Sequence, residues 1–217
     1  MSPVNADPQR RKPYHHGALH SALIEASIAL AREGGPDRVV LREAARVAGV
    51  SHSAAYRHFA DREALLAEVS AHARSELAAA MRLRVSRAKD SLEQLQAVGT
   101  AYVDFALTQP GLFRTAFISH PAATPAEDHD RPAGPQTRSP ADSTEPFEIL
   151  GQVLDQAQDA GLLDPHRRPG AEIAAWSAVH GLASLLLDGP LPTTDADIEF
   201  SLRQVLDLIA RGLLNGP

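Results

Sequence analysis

The sequence predicts an all-α protein with a small N-terminal unit followed by a larger C-terminal one. Apolar residues recur at helical spacing along most of the 217 residues, and no stretch shows the sustained alternation of a strand. Glycine and proline interrupt the helical pattern at places where helices can end. We expect a three-helix unit over residues 14–62 and a helical unit over residues 63–217.

The first helix is predicted over residues 17–33, and it ends at the sequence Gly34-Gly35-Pro36. Four apolar residues share one face of it: Leu19, Leu23, Ala26 and Leu30. Such a face must be buried against other helices.

The next stretch, from Arg42 to Leu66, predicts two short helices joined by a tight turn. Gly49 stands where a left-handed turn residue is needed, and Ser51 is a suitable N-cap. The second helix, over residues 52–59, is about two turns long and needs a scaffold to be stable. Its polar side carries hydrogen-bond donors: His52, Ser53, Tyr56, Arg57 and His58. This arrangement is typical of a helix-turn-helix that reads DNA.

A long helix is predicted from Asp61, a good N-cap, to about Lys89, with a buried stripe along it. The stripe consists of Leu65, Val69, Ala73, Leu77, Met81 and Val85. Five more helices are expected after it: one from Leu92 ending before Pro110, one over Gly111–Ser119, one from Phe147 stopping at Gly161, one over Pro169–Leu187 and one over Thr194–Leu214.

Two segments lack a helical pattern. Residues 1–13 are polar and end in Arg10-Arg11-Lys12-Pro13, which predicts a mobile basic arm, either merely solvated or lying against DNA. Residues 120–146 hold six of the sixteen prolines and no apolar residue larger than alanine. Such a segment cannot bury enough surface to order itself, so we expect a flexible, protease-sensitive loop.

The charge is distributed unevenly. Residues 1–60 hold eight basic and five acidic residues, a net charge of +3, whereas residues 61–217 hold thirteen basic and twenty-two acidic ones, a net charge of −9. This asymmetry fits a head that touches DNA on an acidic body that does not. With no cysteine, no apolar run that could span a bilayer and no signal peptide, we expect a cytoplasmic protein with no membrane partner.

The motif around Tyr56 resembles the DNA-binding domain of TetR/AcrR repressors. The family pattern is matched by Gly49-Val50-Ser51, then Tyr56-Arg57-His58-Phe59, then Asp61-Arg62-Glu63-Ala64-Leu65-Leu66. One departure is Val40, which stands where the family usually has a serine or threonine cap. The resemblance implies a homodimeric transcription regulator, usually a repressor, that binds a double-stranded DNA operator.

The resemblance also implies roles for individual residues. Tyr56 is expected to bind a phosphate, and His58 to do likewise, while Arg57 serves either phosphate or base recognition. His52 and Ser53 are best placed for base edges in the major groove. The predicted DNA-binding set is completed by Ser51, Arg42 and Arg62, the two arginines contacting the DNA backbone.

A second motif, Trp176-Ser-Ala-Val-His180-Gly181, is similar to the Trp-His-Gly signature of one TetR C-terminal subfamily. Trp176 and His180 share a helix face, and Gly181 allows another helix to approach closely. One reading is that the motif only fixes helix packing, for example between two subunits. The other is that it lines a cavity for a small organic effector. The predicted wall is Tyr102, Phe105, Phe113, Phe117, Trp176 and His180.

Other function classes have less support. No motif of nucleophilic, phosphate-binding or metalloprotease chemistry is present, so we expect no catalytic residue and no cofactor. A metal-sensing regulator using His15, His16 and His20 stays open as an alternative, although no nearby carboxylate completes that cluster, so no metal ligand is assigned. A ligand-independent DNA-binding protein is a further alternative.

Overall fold

The protein is built from helices. The computed structural model describes residues 16–118 and 145–214, and within these ranges it contains α-helices, short 3₁₀ turns and no sheet. The prediction of an all-α fold is therefore confirmed. The basic arm over residues 1–13 and the loop up to residue 144 lie outside the described residues.

Three helices form a compact N-terminal group, which we call the head: α1 (His16–Gly34), α2 (Leu41–Val47) and α3 (His52–Ala55). Helix α1 ends where the glycines predicted, because Gly35 has a φ of 73°, in the left-handed region that favours glycine. Helix α2 begins after Val40, which makes no side-chain capping hydrogen bond. The absence of the serine or threonine that the family usually has therefore leaves this cap unmade.

Helix α4 (Arg62–Val85) runs from the head into the rest of the molecule. Asp61 caps it as predicted, since its Oδ1 accepts a hydrogen bond of 2.8 Å from the Ala64 N–H. The predicted end at Lys89 is wrong. After Ser86 the backbone N–H groups of Arg87 and Ala88 bond to carbonyls three residues back, which turns the chain out of the helix.

Five further helices form the body: α5 (Ser91–Thr108), α6 (Pro110–Ala116), α7 (Glu145–Asp159), α8 (Ala171–Leu187) and α9 (Asp195–Leu213). Pro110 opens α6, as expected of a proline in a first turn. Helix α6 stops at Ala116 and does not reach Ser119. Helix α7 starts two residues earlier than predicted and buries Pro146, so Glu145 and Pro146 belong to this helix and not to the predicted loop. Leu92, where α5 was predicted to start, is exposed on that helix.

The head is joined to the body mainly at the C-terminus of α1. Gly111 lies so close to that end that a Cβ on it would be 2.0 Å from the Ala31 carbonyl oxygen. Next to this contact, Arg32 donates to Gln109 Oε1 at 2.7 Å and to Glu76 Oε1 at 2.5 Å. One side chain of the head thus connects α4 with the α5–α6 corner.

None of the helices within residues 16–118 and 145–214 is both long enough and apolar enough to cross a bilayer.

Candidate functional site

The turn between α2 and α3 has the geometry that the sequence predicted. Gly49 has a φ of 69°, and its N–H donates to the Arg46 carbonyl at 3.2 Å. The Val50 N–H donates to the Ala45 carbonyl at 2.9 Å, which completes a Schellman motif. Val50 is partly buried against the core. The turn therefore fixes the angle at which α3 leaves α2.

Helix α3 is held at its start by Ser51. The Ser51 hydroxyl accepts a hydrogen bond of 3.2 Å from the Ala54 N–H and lies 3.2 Å from the Ser53 hydroxyl. The helix ends at Ala55, one turn earlier than predicted, and the residues from Tyr56 to His58 form a turn. The helix ends here because the backbone N–H groups of Arg57 and His58 donate to carbonyls three residues back, and not four as in an α-helix. Phe59 is buried and anchors the end of this turn.

The outer surface of α3 and of the turn after it is rich in hydrogen-bond donors. His52, Ser53, Tyr56 and Arg57 are all exposed, and Tyr56 shows 51% of its surface despite its aromatic ring. The His52 and Tyr56 rings meet edge to face with centroids 4.7 Å apart. A large exposed aromatic side chain that ends in a hydroxyl suits contact with an external partner.

The two arginines of α2 differ in their surroundings. Arg42 is exposed at the start of the helix. Arg46 donates through Nε to Glu43 Oε2 at 2.9 Å, and this hydrogen bond lowers the pKa of the Glu43 carboxyl. Arg42 makes no ion pair with another described residue. It can therefore make its predicted contact with the DNA backbone without breaking one.

The predicted role of Arg62 does not match its position. Its Nε donates to the Val39 carbonyl at 2.9 Å and its Nη2 donates to the Pro36 carbonyl at 2.7 Å, in a partly buried setting. The guanidinium therefore ties the start of α4 to the turn between α1 and α2. A DNA contact from Arg62 would have to share a group that already satisfies two backbone carbonyls.

Histidines of the head pack with aromatic neighbours. His20 stacks on Phe59 with ring centroids 4.8 Å apart and lies 6.2 Å from the partly buried His58 ring. His15, part of the metal alternative, lies outside the described residues. Among the residues that are described, no group of three histidine, cysteine, aspartate or glutamate side chains has the arrangement of a metal site.

In the body, five of the six predicted wall residues form one aromatic cluster. The Tyr102 ring lies 5.4 Å from Phe113, 5.9 Å from Phe117 and 5.0 Å from Trp176. His180 stands within 5.6 Å of Phe113. The cluster joins α5, the region of α6 and α8, so the Trp176-to-Gly181 motif does contribute to packing.

The polar centre of this cluster is the contact between Tyr102 and His180. The Tyr102 hydroxyl and His180 Nδ1 lie 2.7 Å apart and share a hydrogen bond whose donor depends on the histidine tautomer. Burial raises the pKa of Tyr102 and lowers the pKa of His180. Both shifts favour the neutral forms, because an apolar environment disfavours charge.

A narrow cavity of about 20 Å³ lies beside the cluster, between α4, α5, α7, α8 and α9. Tyr102 and Trp176 line it, but Phe113, Phe117 and His180 are not among its lining residues. Its remaining walls are apolar except for Gln96 on α5, which the sequence did not single out as a site residue. The space suits about one water molecule and is far below what an organic ligand needs.

Phe105 does not belong to this site. It lines a separate groove of about 270 Å³ between α4 and α5, together with Asp104 and Thr108. Tyr102 and Phe105 are three residues apart and therefore point in directions that differ by roughly 60° around the helix axis. The Tyr102 and Phe105 side chains accordingly line two different cavities, although they lie on neighbouring parts of the α5 surface.

Within the described part of one chain, no helix packs closely against Gly181. No atom of another helix in the described chain lies within 4 Å of the position that a Cβ would take. Gly99 on α5 does permit a close approach by another helix of the body, because a Cβ there would lie 2.5 Å from Leu206 Cδ2 on α9. A close helix contact at Gly181 would therefore have to involve another molecule.

Two family models match the chain. The model for the tetR family of bacterial regulatory proteins matches residues 23–69, which include α2, α3 and the turn between them. The model for the tetracyclin repressor-like C-terminal domain matches residues 95–209, more than half of the chain. No curated protein matches the chain at a significant level.

Solved structures share the fold. A protein of unknown function from Rhodococcus sp. RHA1 is 27% identical, with 94% of this chain and 100% of that chain covered and a TM-score of 0.67. A tetR family regulator from Shewanella sp. PV-4 is 16% identical, with coverage of 91% and 99% and a TM-score of 0.61. RolR, solved in complex with resorcinol, is 18% identical, with coverage of 90% and 91% and a TM-score of 0.63.

The two matches fall on the parts that the geometry separates, the head with its exposed donor surface and the helical body. The chain therefore belongs to the TetR family of bacterial regulatory proteins and is a transcription regulator with a helix-turn-helix DNA-binding domain.

Proposed function

We propose that the protein is a homodimeric repressor whose binding to a DNA operator is modulated by a small organic effector. The observation that carries the DNA-binding part is the exposed donor surface of α3, held by the Gly49 turn and the Ser51 cap. The proposals of repression and of control by an effector are based on what is typical of TetR-family regulators. We divide the chain into an arm (residues 1–13), a DNA-binding domain (14–62) and an effector-binding and dimerisation domain (63–217).

For the interface with DNA we propose two kinds of contact. His52 and Ser53, at the start of α3, reach base edges, whereas Tyr56 and Arg42 hold phosphates. Arg57 serves either purpose, and His58, which is partly buried, supports the turn beside it. Ser51 contributes by capping the N-terminus of α3. Arg62 is better explained as a positioning residue, because its guanidinium already bonds to two carbonyls.

The division between base and phosphate contacts can be tested by comparing two variants on a set of related operators. Tyr56→Phe removes one phosphate contact and should weaken binding to all sequences by a similar factor. His52→Ala should cost about 1–3 kcal/mol on the preferred operator and less on others. Equal losses on every operator for both variants would contradict the assigned base contact.

The dimer proposal has support from the last two helices. Leu208, Ile173 and Phe200 are 68%, 65% and 59% exposed, the highest values among the large apolar residues of the described chain, and Leu185 is also exposed. All four lie on α8 and α9. Exposed large apolar residues on these two helices favour a partner surface. A second copy would also bring a helix near Gly181. Two-fold symmetry would then present two copies of α3 to one operator.

The effector proposal rests on the apolar cavity beside Tyr102 and Trp176, which would have to widen to admit an organic ligand. RolR, which has a similar fold, was solved with an aromatic ligand, resorcinol. Membership of the Trp-His-Gly subfamily, based on Trp176, His180 and Gly181, stays part of this proposal. A metal-sensing mode would instead require zinc binding that is lost on changing His16 and His20. A ligand-independent DNA-binding protein would show no effector response in any screen.

A further inference from the structure

The cavity beside Trp176 contains one polar side chain in an otherwise apolar wall. Gln96 is half-buried, and no hydrogen bond to its side-chain amide is found within residues 16–118 and 145–214. Only its backbone carbonyl has a side-chain partner, the Thr100 hydroxyl at 2.7 Å. A side-chain amide offers two donors and an acceptor, and an unpaired polar group in an apolar setting is unfavourable. A ligand with a hydroxyl or carbonyl group would satisfy it.

The size of the cavity is controlled from α9 by Leu206. Because residue 99 is a glycine, the Leu206 side chain lies directly against α5 at the place where a Cβ would stand. Leu206 is also a lining residue of the cavity. The leucine thus occupies space that a ligand would need, and it does so with the movable end of a flexible side chain.

Helix α9 is held to the body at the same place. Its buried residues are Leu206 and Ile209, and both of them line the cavity. A molecule that displaces Leu206 therefore changes the position of α9 against the rest of the body. The exposed residues Phe200 and Leu208 lie on that same helix, so such a shift would also move the proposed dimer surface.

We infer that this cavity takes a small, mostly apolar ring compound with one hydrogen-bonding group, that Gln96 binds this group, and that Leu206 moves aside to admit the ring. The inference deepens the proposed effector function and rests on it. An apolar cavity of about 150 Å³ in a protein core is known to take up benzene, so a single ring is the scale that a displaced leucine side chain provides.

The test uses phenol and toluene as probes, with calorimetry and the fluorescence of Trp176, the only tryptophan, as readouts. In Leu206→Ala both probes should bind at least about ten-fold more tightly than in the wild type, because the obstructing side chain is gone. Adding Gln96→Leu should weaken phenol about 2- to 10-fold, the range of one hydrogen bond, and leave toluene unchanged. Leu202→Ala, on the same helix but away from the cavity, is the matched control and should bind no better than the wild type.

Failure of both probes to bind folded Leu206→Ala, or phenol binding that Gln96→Leu does not weaken, would overturn the inference. If Leu206→Ala does not fold, Leu206→Val opens the cavity by one methylene and permits the same comparison. Operator affinity is measured separately with and without phenol. Probe binding that leaves operator affinity unchanged would support the ligand site and count against the proposed effector response.

Discussion

The contact between Gly111 and the end of α1 predicts a large effect from a single methyl group. In Gly111→Ala the new Cβ would lie 2.0 Å from the Ala31 carbonyl oxygen and 2.8 Å from that of Arg32. Both obstacles are backbone atoms, so they cannot move aside as a side chain can. The Ala31 carbonyl also accepts the 2.7 Å hydrogen bond from the Gly35 N–H that closes α1. Relief of the clash must therefore separate α1 from α6 or disturb this cap.

The magnitude follows from the cost of overpacking, which is about 1–3 kcal/mol and is expected near its upper end against backbone. For a chain of this size each kcal/mol lowers Tm by about 2–4 °C. We expect Gly111→Ala to melt about 4–12 °C below the wild type, followed by circular dichroism at one fixed protein concentration. Operator affinity should also fall, because the position of the head depends on this contact.

Gly17→Ala serves as the control. It changes another helical glycine, and no atom lies within 4 Å of its added Cβ. Its Tm should stay the same or rise slightly, because alanine is favoured over glycine by up to about 1 kcal/mol within helices. A Tm for Gly111→Ala equal to or above that of the wild type would refute the close packing of α1 on α6.

Three other predictions concern pH, the head and the dimer. Burial lowers the pKa of His180 below its ordinary 6.5, so the unfolded chain binds the proton more readily and the folded state loses stability as the pH falls below that value. The variant His180→Asn keeps an acceptor for Tyr102 but does not titrate. Its Tm should therefore drop less than that of the wild type between about pH 7.5 and about pH 5.5. Arg62→Ala should lower the free energy of unfolding by about 1–3 kcal/mol, because two backbone carbonyls lose their partner. Arg57→Ala, at an exposed position, should leave Tm unchanged and reduce DNA affinity. If Arg62→Ala reduced DNA affinity without changing stability, Arg62 would be a DNA contact. Leu208→Glu should shift the protein towards monomer in sedimentation velocity, and Leu92→Glu on α5 should not.

The sequence predicted best the features that depend on local chemistry. Gly35, Gly49, Asp61 and Pro110 each set a helix boundary through backbone conformation or capping, and each does so in the structure. Other helix ends were less predictable, because there the backbone hydrogen bonds change gradually from carbonyls four residues back to carbonyls three residues back. This is why α3 ends at Ala55, earlier than expected.

Features that depend on long-range contacts escaped the sequence. The carbonyl partners of Arg62 lie 23 and 26 residues earlier in the chain, and nothing near Arg62 indicates them. Gln96 looks like a solvent-facing residue of an amphipathic helix, although it stands three residues before Gly99 and so shares its face. The close contact between Gly99 and Leu206 could be known only from the packing of α9.

The central claim, sequence-specific recognition by a symmetric pair of helix-turn-helix heads, is tested most directly by selection from a random pool of duplex DNA. The wild-type protein should enrich a partly palindromic motif whose half-sites are about one helical turn, or a multiple of it, apart. Enrichment of no motif by a folded protein would contradict the account.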